Sequence, residues 1–464
     1  MHALTRTAML ALLVAPAAAV AETRAVYGGS VQAALSSAPT TFDPLRGGPG
    51  DAEIAALVYD TPFVLDAAGK PKPSLALALD NPAGSLHARL TLRPELRFSD
   101  GSALTARDVA ASLTRALRDP AGWSLAPIRA AHAAGDETVE LDLTRPTPEL
   151  ALLLSTPAAM ITPNGMVSAK RPIGSGPFVV EAYDVQSMRL AANPSCANGR
   201  PYLASLVLRA WPTRGDESGS FEVGSSQVMR HLAATAIDQA SAHHAAVAVD
   251  GPQTITGFIA VGRIPDFALV RRILALALNR ERLRRLTVRE PAVVASGAVP
   301  PALGGATDHA AYDPARARSE VERRWASARP KLSLLVDATR FDDRDVAERI
   351  LADLGRAGID VTIDAADAAT YQARVDGGRY ELVLGAAAPP APDGTLAALA
   401  LVAAVDAPAA RAALARGTTV DLEATRVVPL FHRAARVQAA PELRDLRVDG
   451  AGRVDWPDVH WQAR

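Results

Sequence analysis

The 464-residue chain has one cysteine and only four lysines. A lone cysteine cannot form an internal disulfide, so a disulfide-stabilised scaffold is excluded and Cys196 is predicted to be buried or inert. The 49 cationic and 50 anionic side chains nearly cancel, which leaves no basic field to hold a nucleic-acid backbone, and we predict no nucleic-acid partner. No glycine-rich loop followed by Lys and Ser or Thr is present, which excludes a P-loop nucleotidase.

The sequence motifs of several common enzyme classes are also missing. HExxH, G-x-S-x-G and G-x-G-x-x-G do not occur in the chain. Nine histidines are present, but the adjacent side chains of His243 and His244 would diverge on a strand and make a poor chelate. We therefore predict that the protein is not an enzyme and holds neither a metal nor another cofactor.

The first 21 residues have the pattern of a secretory signal peptide. Arg6 precedes an apolar run from Ala8 to Val14, and Ala19 and Ala21 supply the small residues of a cleavage site. A membrane anchor needs about 20 apolar residues, whereas this run is shorter and is followed by Pro16. We predict export to the periplasm with cleavage after Ala21, and no later stretch is predicted to span a bilayer.

Hydrophobic periodicity predicts a mixed first half. With 49% hydrophobic residues at this length, the chain is expected to form two or three lobes. Alternation predicts strands at 25–35, 87–92 and 139–143, and helical spacing predicts a helix at 52–59. Thr105 with Asp108 three residues later makes a capping box, so a helix should begin there and end at Pro120.

In the second half, predicted strands alternate with predicted helices. The strands at 331–336 and 359–363 flank a helix that should begin at Asp343 and end at Gly358. Such a βαβ unit requires parallel strands joined by a right-handed crossover. The same reasoning predicts helices after Asp266 and Asp313 and at 370–375, and strands at 380–384, 427–431 and 446–448. We expect an α/β lobe of its own in this region.

Six segments in a fixed chain order carry a family resemblance. They are Phe42-Asp43-Pro44, DAAGKPKPSL ending at Leu75, LTLRPELRFSDGSALTARDV at 90–109, IGSGPF at 173–178, Asn193-Pro194 before Gly199-Arg200-Pro201, and VRRILALALNRERL at 270–283. This succession resembles the family 5 extracellular solute-binding proteins, which are the dipeptide, oligopeptide and nickel receptors of ABC importers.

The resemblance implies a two-lobed α/β clamshell of the periplasmic binding protein type II kind, similar to cluster C. A larger lobe with mixed sheets would comprise residues 22–255 and 428–464, and a smaller α/β lobe would comprise 256–427. The implied hinge lies near 255–262 and 426–429.

The function that the resemblance implies is that of a periplasmic substrate-binding protein of an ABC importer. A monomer would capture a peptide-like or other small solute in the inter-lobe cleft and deliver it to the permease at the inner membrane. A periplasmic ligand sensor or accessory protein that feeds no transporter is the alternative.

The ligand loop departs from the family pattern. In peptide-binding relatives, a strand of the smaller lobe is followed by Gly-Trp-x-x-Asp, whose Asp pairs with the ligand α-ammonium and whose Trp walls the pocket. Here the Trp position reads Ala387 and the Asp position Pro390, and neither residue accepts a charge-assisted hydrogen bond. We therefore predict that peptides are not bound in the family's usual manner, unless a rearranged loop brings Asp393 into that role.

Other ligand contacts are predicted from positions in the family. Trp123 follows the helix stop in a loop that lines the cleft in relatives. Phe431 and His432 lie where the chain re-enters the larger lobe and where relatives place aromatic residues on the cleft wall. Arg374 and Arg379 flank the altered loop and would receive a carboxylate. For each of these residues, ordinary packing or a solvated surface position is the alternative.

Overall fold

The computed structural model describes residues 25–168, 170–230, 246–307, 311–326, 329–340 and 342–462. The predicted signal peptide and the pair His243 and His244 lie outside these residues. The first twelve strands are β1 (Ser30–Ala34), β2 (Phe63–Leu65), β3 (Pro71–Pro73), β4 (Ala76–Asp80), β5 (His87–Leu92), β6 (Ile128–Ala133), β7 (Thr138–Leu143), β8 (Phe178–Tyr183), β9 (Ser187–Ala192), β10 (Ser205–Arg209), β11 (Val228–Met229) and β12 (Val247–Asp250).

The remaining strands are β13 (Ile255–Val261), β14 (Ala292–Val294), β15 (Lys331–Asp337), β16 (Asp360–Ala366), β17 (Leu382–Ala387), β18 (Val427–Arg433), β19 (Arg436–Ala439), β20 (Leu443–Arg444) and β21 (His460–Trp461). The α-helices of the described residues are α1 (Pro49–Val58), α2 (Ala106–Arg118), α3 (Leu150–Leu153), α4 (Arg214–Glu222), α5 (Phe267–Ala277), α6 (Arg280–Thr287), α7 (Pro314–Arg324), α8 (Asp343–Ala357), α9 (Ala368–Asp376) and α10 (Gly394–Arg416).

Three sheets organise these elements into two lobes. Seven strands pair in the order β12-β19-β11-β1-β10-β9-β8, and four antiparallel strands pair in the order β4-β5-β7-β6. These two sheets make up the larger lobe. Six strands in the order β14-β18-β13-β17-β15-β16 form the sheet of the smaller lobe.

The predicted βαβ unit is confirmed. β15 and β16 are parallel from Lys331 opposite Asp360 to Asp337 opposite Ala366. Helix α8, which connects them, buries an apolar stripe that includes Val346, Ile350 and Leu354. It ends at Gly358, whose φ of 93° is the left-handed conformation that glycine adopts at low cost.

The predicted capping box at the start of α2 is also confirmed. The N–H of Thr105 donates to Asp108 Oδ2 at 2.8 Å, and the threonine hydroxyl lies 3.0 Å from the same oxygen. The helix ends at Arg118 and a 3-10 helix begins at Pro120, as predicted. The backbone N–H of Thr105 is thereby satisfied by the side chain at the third helical position.

Three local predictions differ from the structure. The strand predicted at 380–384 runs from Leu382 to Ala387, because its backbone continues to pair with β13. The strand predicted at 446–448 is wrong, because Val448 forms only an isolated bridge. Asp449 instead stabilises a turn, since its Oδ1 accepts the N–H groups of Ala451 and Arg453. Asp266 precedes α5 in a left-handed conformation without capping it.

The chain crosses between the lobes at two short connections. β18 pairs with β13 and β14 in the six-stranded sheet as far as Arg433, and β19 joins the seven-stranded sheet at Arg436. The predicted return to the larger lobe at residue 428 and the predicted hinge segments therefore fall within paired strands. The segments 251–254 and 434–435 connect the seven-stranded sheet to the six-stranded sheet.

Helix α10 links the two lobes. Leu401 packs in the core of the smaller lobe, whereas Leu396 and Leu399 pack in the core of the four-stranded sheet. Among the described residues, α10 is long and apolar enough to cross a membrane by length and composition alone, which corrects the expectation that no such stretch follows the signal peptide. Its apolar faces are used for packing between two cores, as in the core helix of a soluble protein.

Candidate ligand-binding cleft

The carboxyl ends of four strands meet at one edge of the six-stranded sheet. β15 is parallel to β16 and β17, and β13 is antiparallel to both β17 and β18, so the four strands β15 to β18 run in one direction. They end at Asp337, Ala366, Ala387 and Arg433. Because α/β proteins bind ligands outside the carboxyl ends of such strands, we take this edge, called the ligand edge below, as the candidate site.

A charged cluster lies at the ends of β15 and the start of α8. Arg340 Nε is 3.3 Å from Asp337 Oδ2, and its Nη1 is 3.9 Å from Asp343 Oδ2. The guanidinium carbon lies 5.6 Å from the ring centre of Tyr371. Asp343 Oδ2 is buried and accepts no hydrogen bond from the described residues. Burial raises the pKa of Asp343 to about 6, although Arg340 lowers it.

This cluster is not among the residues predicted to bind ligand, although the sequence carries a signal for it. Asp337 and Asp343 flank the loop that follows the first strand of a predicted βαβ unit, and such loops lie at the carboxyl end of a parallel sheet. Tyr371 gave no comparable signal, because only the packing of α9 on the sheet brings its hydroxyl to the carbonyl of Leu384, at 2.8 Å.

Small residues form the end of β17 at this edge. A Cβ added to Gly385 would lie 2.8 Å from Phe258 Cζ and 3.1 Å from Tyr371 Oη, so these two rings leave no room for a larger side chain. Ala386 and Ala387 complete the strand and are only partly buried. The strand therefore presents neither an aromatic ring nor a carboxylate where the family pattern predicts both.

His432 is buried in the same row of the sheet as Ala387. Thr256 pairs with His432 on one side and with Ala387 on the other, which places the three side chains on one face. His432 is 1% exposed, and its Nδ1 lies 2.8 Å from Thr256 Oγ1, while its Nε2 has no hydrogen-bond partner among the described residues. Burial lowers the pKa of His432 to about 4, so the imidazole is neutral at pH 7.

Phe431, the neighbouring predicted contact, points to the opposite face of the sheet. Its ring covers Gly257, where an added Cβ would lie 2.6 Å from Phe431 Cε2. The side chain is 6% exposed and packs with the residues of the helix-covered core. The structure therefore places Phe431 and His432 in different surroundings, and only His432 shares a row with the ligand loop.

The four other predicted contacts also interact within the protein, and one of them, Arg379, donates from Nη2 to the carbonyl of Ala373 at 3.1 Å. Asp393 caps α10, because its Oδ1 accepts the N–H of Leu396 at 2.9 Å. Arg374 is paired with Asp364, with Nη2 and Oδ2 2.6 Å apart. Trp123 lies in the 3-10 helix after α2 and packs, partly buried, against the core of the four-stranded sheet. These contacts do not bring the side chains of Asp393, Arg374 and Trp123 into one constellation with His432.

One ion pair joins the lobes across the cleft, and a second ion pair, within the larger lobe, is influenced by a charge of the smaller lobe. Arg214, the first residue of α4 in the larger lobe, forms an ion pair with Asp342, which precedes α8 in the smaller lobe. Arg46 pairs with Asp119, with Nη2 and Oδ2 2.6 Å apart. The hydrogen bond to Asp119 raises the pKa of Arg46, and the more distant charge of Asp376 in α9 raises this pKa further. Sequence reasoning could not find these pairs, because their members are far apart in the chain.

The Phe42-Asp43-Pro44 motif lies on the larger-lobe side, beside a cavity. Burial alone would raise the pKa of Asp43, but hydrogen bonds from Arg115 and from the N–H of Leu45 lower it. A cavity of about 740 Å³ is lined on the larger lobe by residues of α2 and β6 and by Asp119, Asn164 and Gly165. Asp43 therefore holds the loop in place beside the cavity, because it pairs with Arg115, which lines the cavity.

Comparison with known proteins identifies the family. The profile of the bacterial extracellular solute-binding proteins, family 5 Middle, matches residues 70–404. The chain belongs to this family. The glutathione-binding protein GsiB of Salmonella typhi is 26% identical over 381 residues, which cover 78% of this chain and 74% of that protein.

Solved structures of the same fold cover nearly the whole chain. The dipeptide binding protein from Pseudoalteromonas sp. SM9913, in complex with Met-Leu, matches with a TM-score of 0.80 and 16% identity over 93% of this chain and 100% of that chain. The binding protein AgaA from A. tumefaciens R10, in complex with agropinic acid, matches with a TM-score of 0.81 and 18% identity over 93% and 96%. These likenesses confirm the predicted two-lobed α/β fold.

The family 5 assignment confirms the predicted general function. The chain is a solute-binding protein of the kind that serves ABC importers, and the relatives it matches are binding proteins, not enzymes. Family members are periplasmic or extracellular. In the part of the chain that the structure describes, no group of three or more His, Cys, Asp or Glu side chains is arranged to hold a metal ion.

Proposed function

We propose that this family 5 protein captures a small peptide-like solute at the ligand edge without using a free α-ammonium group as the anchor. The observation that carries this proposal is the small-residue end of β17. The positions of the aromatic wall and the ammonium partner read Ala387 and Pro390, and Asp393 is engaged as a helix cap. The buried ionisable side chain in the same row, His432, is neutral and offers a hydrogen bond in place of a charge.

The expected loss of peptide affinity follows from the missing ion pair between the ligand ammonium and a protein carboxylate. Losing one partner of a desolvated ammonium–carboxylate pair costs on the order of 2 to 5 kcal/mol. This cost corresponds to an affinity that is weaker by about 30-fold to several thousand-fold. A peptide that relatives bind at about 1 micromolar concentration would then bind here at about 30 micromolar to several millimolar concentration.

The first test is a thermal-shift panel on the mature protein. At millimolar concentration, Met-Leu and similar dipeptides with free N-termini should raise the melting temperature no more than their N-acetylated forms do, because a ligand stabilises the native state only to the extent that it binds it. N-acetylated forms of the same dipeptides and glutathione, the ligand named for the relative GsiB, complete the panel. A clear shift with free dipeptides, together with its loss on acetylation, would contradict the proposal.

The second test identifies the natural solute. Native mass spectrometry of the protein purified from periplasm should show a co-purified compound, which denaturation then releases for identification. Since we propose that the protein binds and does not catalyse, the compound should be recovered chemically unchanged after prolonged incubation with the protein. Conversion of the compound to a product would refute the proposed absence of catalysis.

We also propose that the protein is exported, works as a monomer and delivers its solute to an inner-membrane permease. The predicted cleavage after Ala21 makes Glu22 the first residue of the mature chain. Mass spectrometry of the periplasmic protein should therefore return the mass of residues 22–464. A full-length mass, or recovery only from the membrane fraction, would show that the N-terminal segment is not a cleaved signal peptide.

A further inference from the structure

Two arginines on the helices α5 and α6 lack the partners that their neighbours have. Arg272 is held by Glu320 through hydrogen bonds of 2.7 and 3.0 Å, and Arg284 is held by Glu281 at 2.6 and 3.1 Å. Among the described residues, neither Arg271 nor Arg280 forms an ion pair, although both lie on the same two helices.

The guanidinium of Arg280 is buried in this unpaired state. The residue is 9% exposed, and its one hydrogen bond to the described residues is a long one of 3.4 Å from Nη2 to the carbonyl of Ala275. The Nε atoms of Arg271 and Arg280 are both buried without a hydrogen-bond partner in the described part of the chain. A buried guanidinium without a counter-charge is strongly destabilising.

The guanidinium of Arg280 reaches back to the helix that carries Arg271, since its Nη2 donates to the carbonyl of Ala275, four residues after Arg271. Burial, and then the charge of Arg271, lowers the pKa of Arg280 to about 10. Burial lowers the pKa of Arg271 too, and Glu423 and Asp421 counteract this without approaching to ion-pair distance. Two like charges in a partly desolvated corner, with carboxylates only at longer range, leave an unbalanced positive potential there.

This corner lies away from the ligand edge. Asn279, next to Arg280, is anchored by a 3.0 Å bond from its N–H to Asp353 of α8. Asp353 is ten residues after Asp343 in that helix, which amounts to about 15 Å of helical rise. Glu423, near Arg271, precedes β18 and so lies at the amino end of that strand, opposite to the end that forms the ligand edge.

We propose that Arg271 and Arg280 together bind a small oxyanion, a phosphate or a carboxylate group, at the corner between α5 and α6. A planar guanidinium matches the oxygens of either group with two parallel hydrogen bonds, and two guanidinium groups balance its charge. The bound anion would supply the missing counter-charge and would be independent of the solute in the cleft.

The experiment measures anion binding to the mature protein by titration calorimetry at constant ionic strength. Inorganic phosphate and citrate are compared with chloride, which controls for screening. At least one of the two oxyanions should bind, and its affinity should fall at least tenfold in Arg271→Gln. Phosphate binding alone points to a phosphate source and citrate binding alone to a carboxylate source, and both results support the proposal.

The matched control is Arg272→Gln, which removes an adjacent arginine that is already paired with Glu320. This variant should bind the anion as the unmodified protein does. Arg280→Gln should also lose binding, and if that variant fails to fold, Arg271→Gln decides alone, because Arg271 is only partly buried. No heat with either oxyanion, or equal affinity in Arg271→Gln and Arg272→Gln, would overturn the proposal.

Discussion

At the scale of single residues, two polar side chains predicted to touch ligand also make contacts within the protein. Asp393 caps a helix and Arg374 pairs with Asp364. The sequence contained the signal for the cap, since an Asp-Gly pair precedes an apolar helical run. It contained no signal for the partner of Arg374, because that pair depends on how α9 packs beside β16. Among the predicted contacts, His432 alone combines burial with a polar atom that has no partner in the described part of the chain.

The burial of His432 predicts a pH dependence of stability. The folded-state pKa of about 4 lies below the ordinary value of 6.5, so between these pH values the unfolded state binds more protons and the free energy of unfolding falls as pH falls. This shift corresponds to about 3 kcal/mol between pH 7 and pH 4. This contribution to the loss of stability should be absent in His432→Gln, because the glutamine side chain does not titrate.

The measurement is the free energy of unfolding by urea at several pH values for the protein and for His432→Gln. The difference between the two should decrease steadily from pH 6.5 to pH 4, whereas exposed His132→Gln should follow the unmodified protein. Using the difference removes the opposite contribution of Asp343, whose raised pKa favours the folded state as pH falls. A difference that does not change with pH would mean that His432 is not buried in a neutral form.

At the scale of helices and strands, prediction succeeded where a local signal is strong. The start of α2 follows from its capping-box motif. The parallel pair β15 and β16 follows from a pattern of apolar residues that indicates a strand, then a helix, then a strand. α10 could not be predicted, because a helix that packs between two cores is apolar on several sides and gives no amphipathic period. The extent of β17 was also missed, since pairing with β13 decides where it ends.

The cap of α10 gives a prediction that separates a structural from a ligand-binding role for Asp393. Asp393→Ala removes the acceptor of the Leu396 N–H and should lower the free energy of unfolding by about 1 kcal/mol. It should leave ligand affinity unchanged, because the carboxylate is already engaged. Exposed Thr395→Ala, two residues further in the same helix, is the matched control and should change neither quantity. A large loss of affinity in Asp393→Ala would return this residue to the binding site.

At the scale of the whole molecule, the two lobes are joined by more than their two connections. Arg411 in the second half of α10 donates to the carbonyls of Leu117 and Asp119, at 2.9 and 2.5 Å, and so satisfies the end of α2 in the larger lobe. Arg214 and Asp342 add an ion pair across the cleft. The family fold predicted two lobes, but these contacts depend on how closely the lobes approach, which no local pattern encodes.

The ion pair between Arg214 and Asp342 should stabilise the closed arrangement of the two lobes. A partly exposed pair contributes about 0.2 to 1 kcal/mol, so Arg214→Ala should raise the ratio of open to closed molecules by about 1.4-fold to 5-fold. Single-molecule energy transfer between labels on the two lobes measures this ratio. Arg344→Ala, which removes a pair with Glu348 inside α8, is the control and should leave the ratio unchanged. Because a ligand that bridges the lobes favours only the closed state, the co-purified solute should restore closure in Arg214→Ala. If it does not, the proposed cleft is not where the solute binds.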